Sequence, residues 1–153
     1  MVIGCGDIGS VLTHREHLTF FACGVSNSKE LDPFEYEREA RRLMNQDKSK
    51  RLVYFSSLSI YYSDTRYTRH KMFMEELVKQ HFTKYCIIRL GNITWGKNPH
   101  TLLNFLKANP NAERRNETRY LINKDEFLHW INLIPNFNTE MNLTGKLINV
   151  KEL

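Results

Sequence analysis

Tyr67 and Lys71 stand four residues apart. On a helix this spacing puts a phenol and an ammonium on one face, one turn apart. A phenol with its ordinary pKa near ~10 is a poor base at neutral pH. A neighbouring ammonium stabilises the phenolate and brings proton exchange toward the working range. The same spacing also suits a solvent-facing pair on an amphipathic helix, so its meaning depends on what else the chain carries. A second segment, Gly4-Cys5-Gly6-Asp7-Ile8-Gly9, follows the apolar Val2-Ile3 and reads G-x-G-x-x-G. Gly4 allows a tight turn, Gly6 leaves the backbone open to a pyrophosphate, and Gly9 lets a following helix pack against the strand. Free N–H groups at that helix start would face the phosphate charge. The hydroxyl-rich Ser56-Ser57-Leu58-Ser59 is a third polar segment.

The elements that must position these groups follow from the apolar pattern. Met1 to Ile3 predicts a very short strand and Asp7 to Thr13 a short helix. Leu18 to Cys23, Arg51 to Phe55 and Tyr85 to Leu90 are apolar runs of buried-strand type. Asp32-Pro33 opens a helix, with Asp32 as cap and Pro33 in its first turn. That helix runs to about Asn45, with Phe34, Ala40, Leu43 and Met44 as candidate core contacts. Tyr67 to His81 predicts a helix carrying Met72, Met74, Leu77 and Val78. Gly91 to Pro99 reads as a loop, His100 to Ala108 as a helix and Asn109 to Thr118 as a charged loop. Arg119 to Ile122 and Lys146 to Val150 predict strands, and Asp125 to Leu133 a helix. Strands alternating with helices imply an α/β fold, a parallel sheet with helices on both faces. Ligands in such sheets bind beyond the carboxyl ends of the strands. The glycine turn, the Gly24 loop, Ser56-Ser57 and the Gly91 loop all follow such ends, so four segments converge on one rim.

These residues, in this order, resemble the short-chain dehydrogenase/reductase superfamily. The nearer match is its extended branch, the nucleotide-sugar epimerases, dehydratases and reductases with a Rossmann fold. The matching pieces are Gly4 to Gly9, Ala22-Cys23-Gly24, Phe55-Ser56-Ser57-Leu58-Ser59-Ile60-Tyr61, Tyr67-x-x-x-Lys71 and Arg89-Leu90-Gly91-Asn92. The resemblance implies catalytic roles for Tyr67 as acid/base, Lys71 as its tuner and ribose contact, and Ser57 as the hydroxyl holding the reacting oxygen. It implies an NAD or NADP site along Gly4, Gly6, Asp7, Ile8, Gly9, Ala22, Cys23, Gly24, Ser56 and Lys71. Asn92, Trp95 and Lys97 are candidates for meeting a nucleotide-sugar substrate, with Lys97 near phosphate; the alternative is a structural loop holding one packed Trp.

The chain also departs from the family pattern. Gly9 is only thirteen residues before Ala22. That interval holds one short helix and one strand, so the usual second and third strands are absent and the first strand becomes an edge. The acidic residue that normally grips the adenosine ribose goes with them; Glu30 follows the wrong strand for that role. Ten residues separate Ser57 from Tyr67, a short connection. Ile93-Thr94-Trp95-Gly96-Lys97 stands where a Val-Tyr-Gly-Pro-like loop is usual.

At 153 residues the chain is of single-domain length, with about 92–153 as a reduced substrate-side region. Cys5, Cys23 and Cys86 show no metal-ligand spacing and read as free thiols of a reducing, cytoplasmic compartment. His14, His17, His70, His81, His100 and His129 are isolated, so no metal is expected. No run approaches the ~20 apolar residues of a membrane span. The formal charge of +5 is dispersed, without a basic stripe interleaved with aromatics, which argues against nucleic acid as a partner. Two function classes follow: an NAD(P)-dependent oxidoreductase or epimerase/dehydratase acting on a nucleotide-sugar, or a catalytically degenerate nucleotide- or partner-binding module. In either, a homodimer would cover the exposed first strand.

Overall fold

A computed structural model describes residues 1–153. Its main sheet has five parallel strands: β1 (Val2–Ile3), β2 (Leu18–Phe21), β3 (Arg51–Ser57), β4 (Tyr85–Leu90) and β7 (Thr139–Leu143). Their spatial order is β1-β2-β3-β4-β7. The remaining strands, β5 (Asn92–Ile93), β6 (Thr118–Ile122) and β8 (Lys146–Asn149), form a separate sheet in the order β5-β6-β8. The helices are α1 (Pro33–Met44), α2 (Arg66–His81), α3 (Leu102–Ala108) and α4 (Lys124–Ile131).

Alternation along the strands divides the core in two. Val53 and Phe55 of β3 join Phe20, Ile88, Phe127 and Ile131 on the α4 face. Their neighbours Leu52 and Tyr54 join Phe21, Leu43, Met74 and Val78 on the face covered by α1 and α2. Both faces are therefore buried, and a strand such as Arg51–Ser57 reads as a continuous apolar run rather than an alternating one. The parallel α/β sheet implied by the element pattern is present, and β1 lies at its edge, paired only with β2.

Several elements differ from the sequence expectation. The stretch after the glycines forms a single 3₁₀ turn, Gly9–Val11, not a helix over 7–13. Too few residues lie between Gly9 and β2 to close further helical turns. Phe34 is exposed; α1 instead buries Tyr36, Glu39 and Leu43. Met72 of α2 also faces outward, and the buried stripe is Lys71, Met74, Glu75 and Val78. Strand β7 is an unpredicted edge strand with a half-polar sequence, Thr-Glu-Met-Asn-Leu. Its polar members Glu140 and Asn142 meet Arg89 of β4, so polarity concealed a strand whose partners are themselves polar.

Candidate functional site

Parallel strands place the residues after Ile3, Phe21, Ser57 and Leu90 on one edge of the sheet. At the first of these, Gly4 adopts φ +112°, and a Cβ there would collide with the Ala22 carbonyl oxygen. Gly4 thus provides both the turn and the close approach of the first strand exit to the second. Around Gly6 the space is open, with nothing within 4 Å of a built Cβ. The backbone N–H groups of Cys5, Gly6, Asp7 and Ile8 donate to no acceptor in the chain. Open space beside unpaired amides fits the diphosphate of a dinucleotide. The single turn that follows supplies less dipole than a full helix start.

Asp7 does not face outward. Its carboxylate accepts the backbone N–H of Lys97 and of Asn98, each at 2.9 Å, and its carbonyl accepts the Trp95 indole N–H at 2.8 Å. The β5–α3 loop is thereby tied down onto the glycine turn. Trp95 also packs on Phe127, with ring centroids 5.2 Å apart. Asn92 donates to the Tyr120 carbonyl at 3.2 Å, bracing β5 against β6. Ile8 and Ala22 pack against the α4-side core. The Lys97 side chain is exposed.

Helix α2 carries the phenol and the ammonium. Thr65 caps it through the Thr68 N–H, and Thr68 returns the bond to the Thr65 N–H, a reciprocal box that sets the helix start. Tyr67 and Lys71 share a face, with Lys71 Nζ 5.5 Å from the Tyr67 ring centroid. Lys71 is buried, and its ammonium lies 3.4 Å from Glu39 Oε1 and 3.3 Å from the Tyr54 hydroxyl. Tyr54 donates to the other oxygen of Glu39 at 2.5 Å, and the Val25 N–H donates to Oε1 at 2.6 Å. His70 Nε2 is 3.2 Å from Oε1, within reach but poorly aligned for a hydrogen bond. Burial opposes ionisation of Glu39 more than any one contact favours it, yet Lys71, His70 and Tyr54 together hold its pKa at about 2. Burial also works against the Lys71 cation, but Glu39 and Tyr67 outweigh it and its pKa is raised. Burial first, and then Glu39, push the Tyr54 phenol well up. Gly24 closes this cluster: a Cβ there would sit 2.9 Å from Lys71 Nζ and 3.0 Å from the Glu39 carboxylate. Beside it, burial raises the pKa of the half-buried Cys23 thiol.

The two serines at the exit of β3 diverge. Ser56 is buried and donates to Glu75 at 2.6 Å. Ser57 accepts the Ser59 N–H at 3.1 Å and shares a 2.7 Å hydrogen bond with the Ser59 hydroxyl, capping the 3₁₀ turn Leu58–Tyr61. The structure therefore joins Gly24 to Lys71, Lys71 to Tyr67, and Asp7 to the Trp95–Asn98 loop. Sequence reasoning missed Glu39 and Tyr54, the groups that hold Lys71. A signal existed for Glu39: it lies at i+3 and i−4 from Tyr36 and Leu43, inside the apolar stripe of its helix.

No protein-family model and no curated protein matches the chain. Solved structures do. The Bordetella bronchiseptica enzyme WbmG in complex with NAD superposes with a TM-score of 0.69 at 16% identity, over 89% of this chain and 53% of that one. A dTDP-4-dehydrorhamnose reductase from Bacillus anthracis in complex with NADP gives 0.68 at 14% identity, over 89% and 60%. A UDP-N-acetylglucosamine 4-epimerase from Methanobrevibacter ruminantium, in complex with UDP-N-acetylmuramic acid, gives 0.61 at 13%, over 88% and 57%. The fold is the one these enzymes share. It is the fold implied by the sequence resemblance to the extended short-chain dehydrogenases/reductases, and the chain spans little more than half the length of the enzymes it matches. No helix is long and apolar enough to cross a membrane.

Proposed function

We propose that this chain carries the nicotinamide-dependent acid–base site of a nucleotide-sugar oxidoreductase or epimerase/dehydratase. One observation carries the reading: Lys71 and Tyr67 lie side by side on α2, and Lys71 meets the Gly24 strand exit on the rim shared with the open glycine turn. The amides of Cys5 to Ile8 would hold the diphosphate of NAD or NADP. That cofactor, when bound, supplies the hydride acceptor or donor. Tyr67 exchanges the proton at its phenol oxygen, and the Lys71 ammonium favours the phenolate. Ser57 orients the substrate oxygen through its hydroxyl. Asn92 and Lys97 lie on the substrate side, Lys97 with its ammonium free to meet phosphate.

A thermal-shift titration with NAD(H) and NADP(H) is the first test, since a ligand of the native state raises its stability. Stabilisation is expected; no shift at high ligand concentration overturns the cofactor reading. Turnover is then followed by nicotinamide absorbance over a panel of nucleotide-sugars. Tyr67→Phe should lower it by ~100-fold or more while leaving the cofactor shift in place.

A second reading, a nucleotide-binding module without turnover, is favoured by the 3₁₀ turn after the glycines and by the commitment of Lys71 to Glu39. A cofactor shift with no turnover across the panel supports it. In both readings a second copy of the chain is the proposed cover for β1.

A further inference from the structure

Glu39 takes no part in the proposed proton exchange, yet it is the most heavily partnered side chain near it. Its carboxylate is 0% exposed and receives the Tyr54 hydroxyl, the Val25 N–H and the Lys71 ammonium. Lys71 is 3% exposed, and its only acceptors in the chain are Glu39 and Tyr54. A buried lysine without an anionic partner sheds its proton, because desolvation penalises the ammonium by several kcal/mol. The charge on Lys71 therefore depends on the acid beside it.

We propose that Glu39 is the positioning residue of this site: it keeps the buried Lys71 side chain an ammonium ion beside Tyr67 and acts on the reacting phenol only through that lysine. The inference rests on the proposed roles of Tyr67 and Lys71. The groups facing Lys71 come from every packed element: Glu39 from α1, Tyr54 from β3, Tyr67 from α2, and Cys23 at the exit of β2, while His70 of α2 lies against Glu39. Arg38 and Arg42 of α1 act on Cys23, while Tyr36, Tyr54 and Tyr62 lie within the field of Tyr67. Among these groups Glu39 is the sole carboxylate in contact with Lys71. Tyr54 keeps its proton and donates it in a hydrogen bond to Glu39, so it accepts from Lys71 without supplying charge. Gly24 lets the strand exit close directly over the pair.

The test is an NMR titration of ligand-free protein labelled in lysine and tyrosine. The Lys71 and Tyr67 signals are assigned by their loss in Lys71→Met and Tyr67→Phe. Glu39→Gln keeps the shape and removes the charge. In it the Lys71 midpoint should fall by about 3 pH units and the Tyr67 midpoint rise by about 1. Glu39→Asp should restore most of both shifts. An unmoved Lys71 midpoint overturns the proposal, and so does a fallen Lys71 midpoint with Tyr67 unmoved, which makes the pair purely structural. If Glu39→Gln does not fold, Tyr54→Phe decides: Lys71 should stay charged through the neutral range, because Glu39 remains, and loss of its charge there overturns the proposal. These readouts need neither turnover nor dinucleotide, so they stand or fall separately from the thermal-shift test.

Discussion

Helix α2 buries two charged side chains one turn apart, Lys71 and Glu75, and each belongs to a different kind of ion pair. Glu75 binds Arg89 through Nε at 3.1 Å and Nη2 at 2.5 Å, takes the Ser56 hydroxyl, and leaves Arg89 free to reach Tyr61 and Glu140. This network bolts α2 to β3, β4 and β7. Lys71 instead reaches Glu39 and Tyr54 under Gly24, at the rim where the strand exits gather. An arginine does not give up its proton in a protein, whereas a buried lysine does so readily. One pair is therefore a fixed brace and the other a titratable one, and only the titratable pair touches Tyr67.

The largest effect should come from leaving the brace half-made. Glu75→Gln leaves the buried guanidinium with only the part-exposed Glu140 as a carboxylate partner and should cost about 3 kcal/mol in urea unfolding, nearly independent of pH. Glu39→Gln should cost less, and its cost should shrink as pH rises and Lys71 gives up its proton. Equal costs with equal pH dependence would break the distinction between the pairs.

Acid should act on the Glu39–Lys71 pair through its carboxylate. Glu39 has its pKa depressed to about 2 in the folded protein, from an ordinary value of 4.5. Its contribution is present above the ordinary value and is lost as pH falls through the folded one. Roughly 3 kcal/mol is at stake, by linkage at 1.36 kcal/mol per unit. Lys71→Met should remove this acid-sensitive portion from unfolding curves measured between pH ~5 and ~2. An unchanged acid limb would place the sensitivity elsewhere.

Gly24→Ala sharpens the comparison from the backbone side. Its methyl group would press on Nζ and the Glu39 carboxylate and should cost about 2 kcal/mol in thermal unfolding. The Lys71 titration should shift with it, whereas the Glu75–Arg89 pair should not respond. The smallest effect belongs to a third carboxylate, one that meets only backbone. Asp7→Asn gives up one of two N–H contacts and should cost about 1 kcal/mol. Faster hydrogen exchange at Lys97 and Asn98 would report it, and unchanged exchange would show that the loop is held by Trp95 alone.

Much of this arrangement was readable in advance where a local pattern carries the physics. Pro33 after Asp32 does mark a helix start, with Asp32 accepting the Phe34 N–H. The apolar runs of β2, β3 and β4 identify strands buried on both faces. The short interval between Gly9 and Ala22 predicts β1 as an edge. The missed features depend on distant partners. Thr139–Leu143 becomes a strand because Arg89 and Tyr61 satisfy its polar side chains. Phe34 and Met72 are apolar but face outward, while Glu39 and Glu75 are acidic but lie inside.

The sequence alone determined the α/β alternation, the glycine turn and the phenol–ammonium spacing on α2, because each depends on residues a few positions apart. The tertiary structure decided which acid accompanies Lys71, since Glu39 lies 32 positions away and meets it only when α1 and α2 pack on the same face of the sheet. It also decided that Asp7 ties down the β5–α3 loop, a contact across 90 positions to Lys97. Burial is the physical reason: whether a charge is stable depends on the water it loses and the partner it gains, and folding sets both.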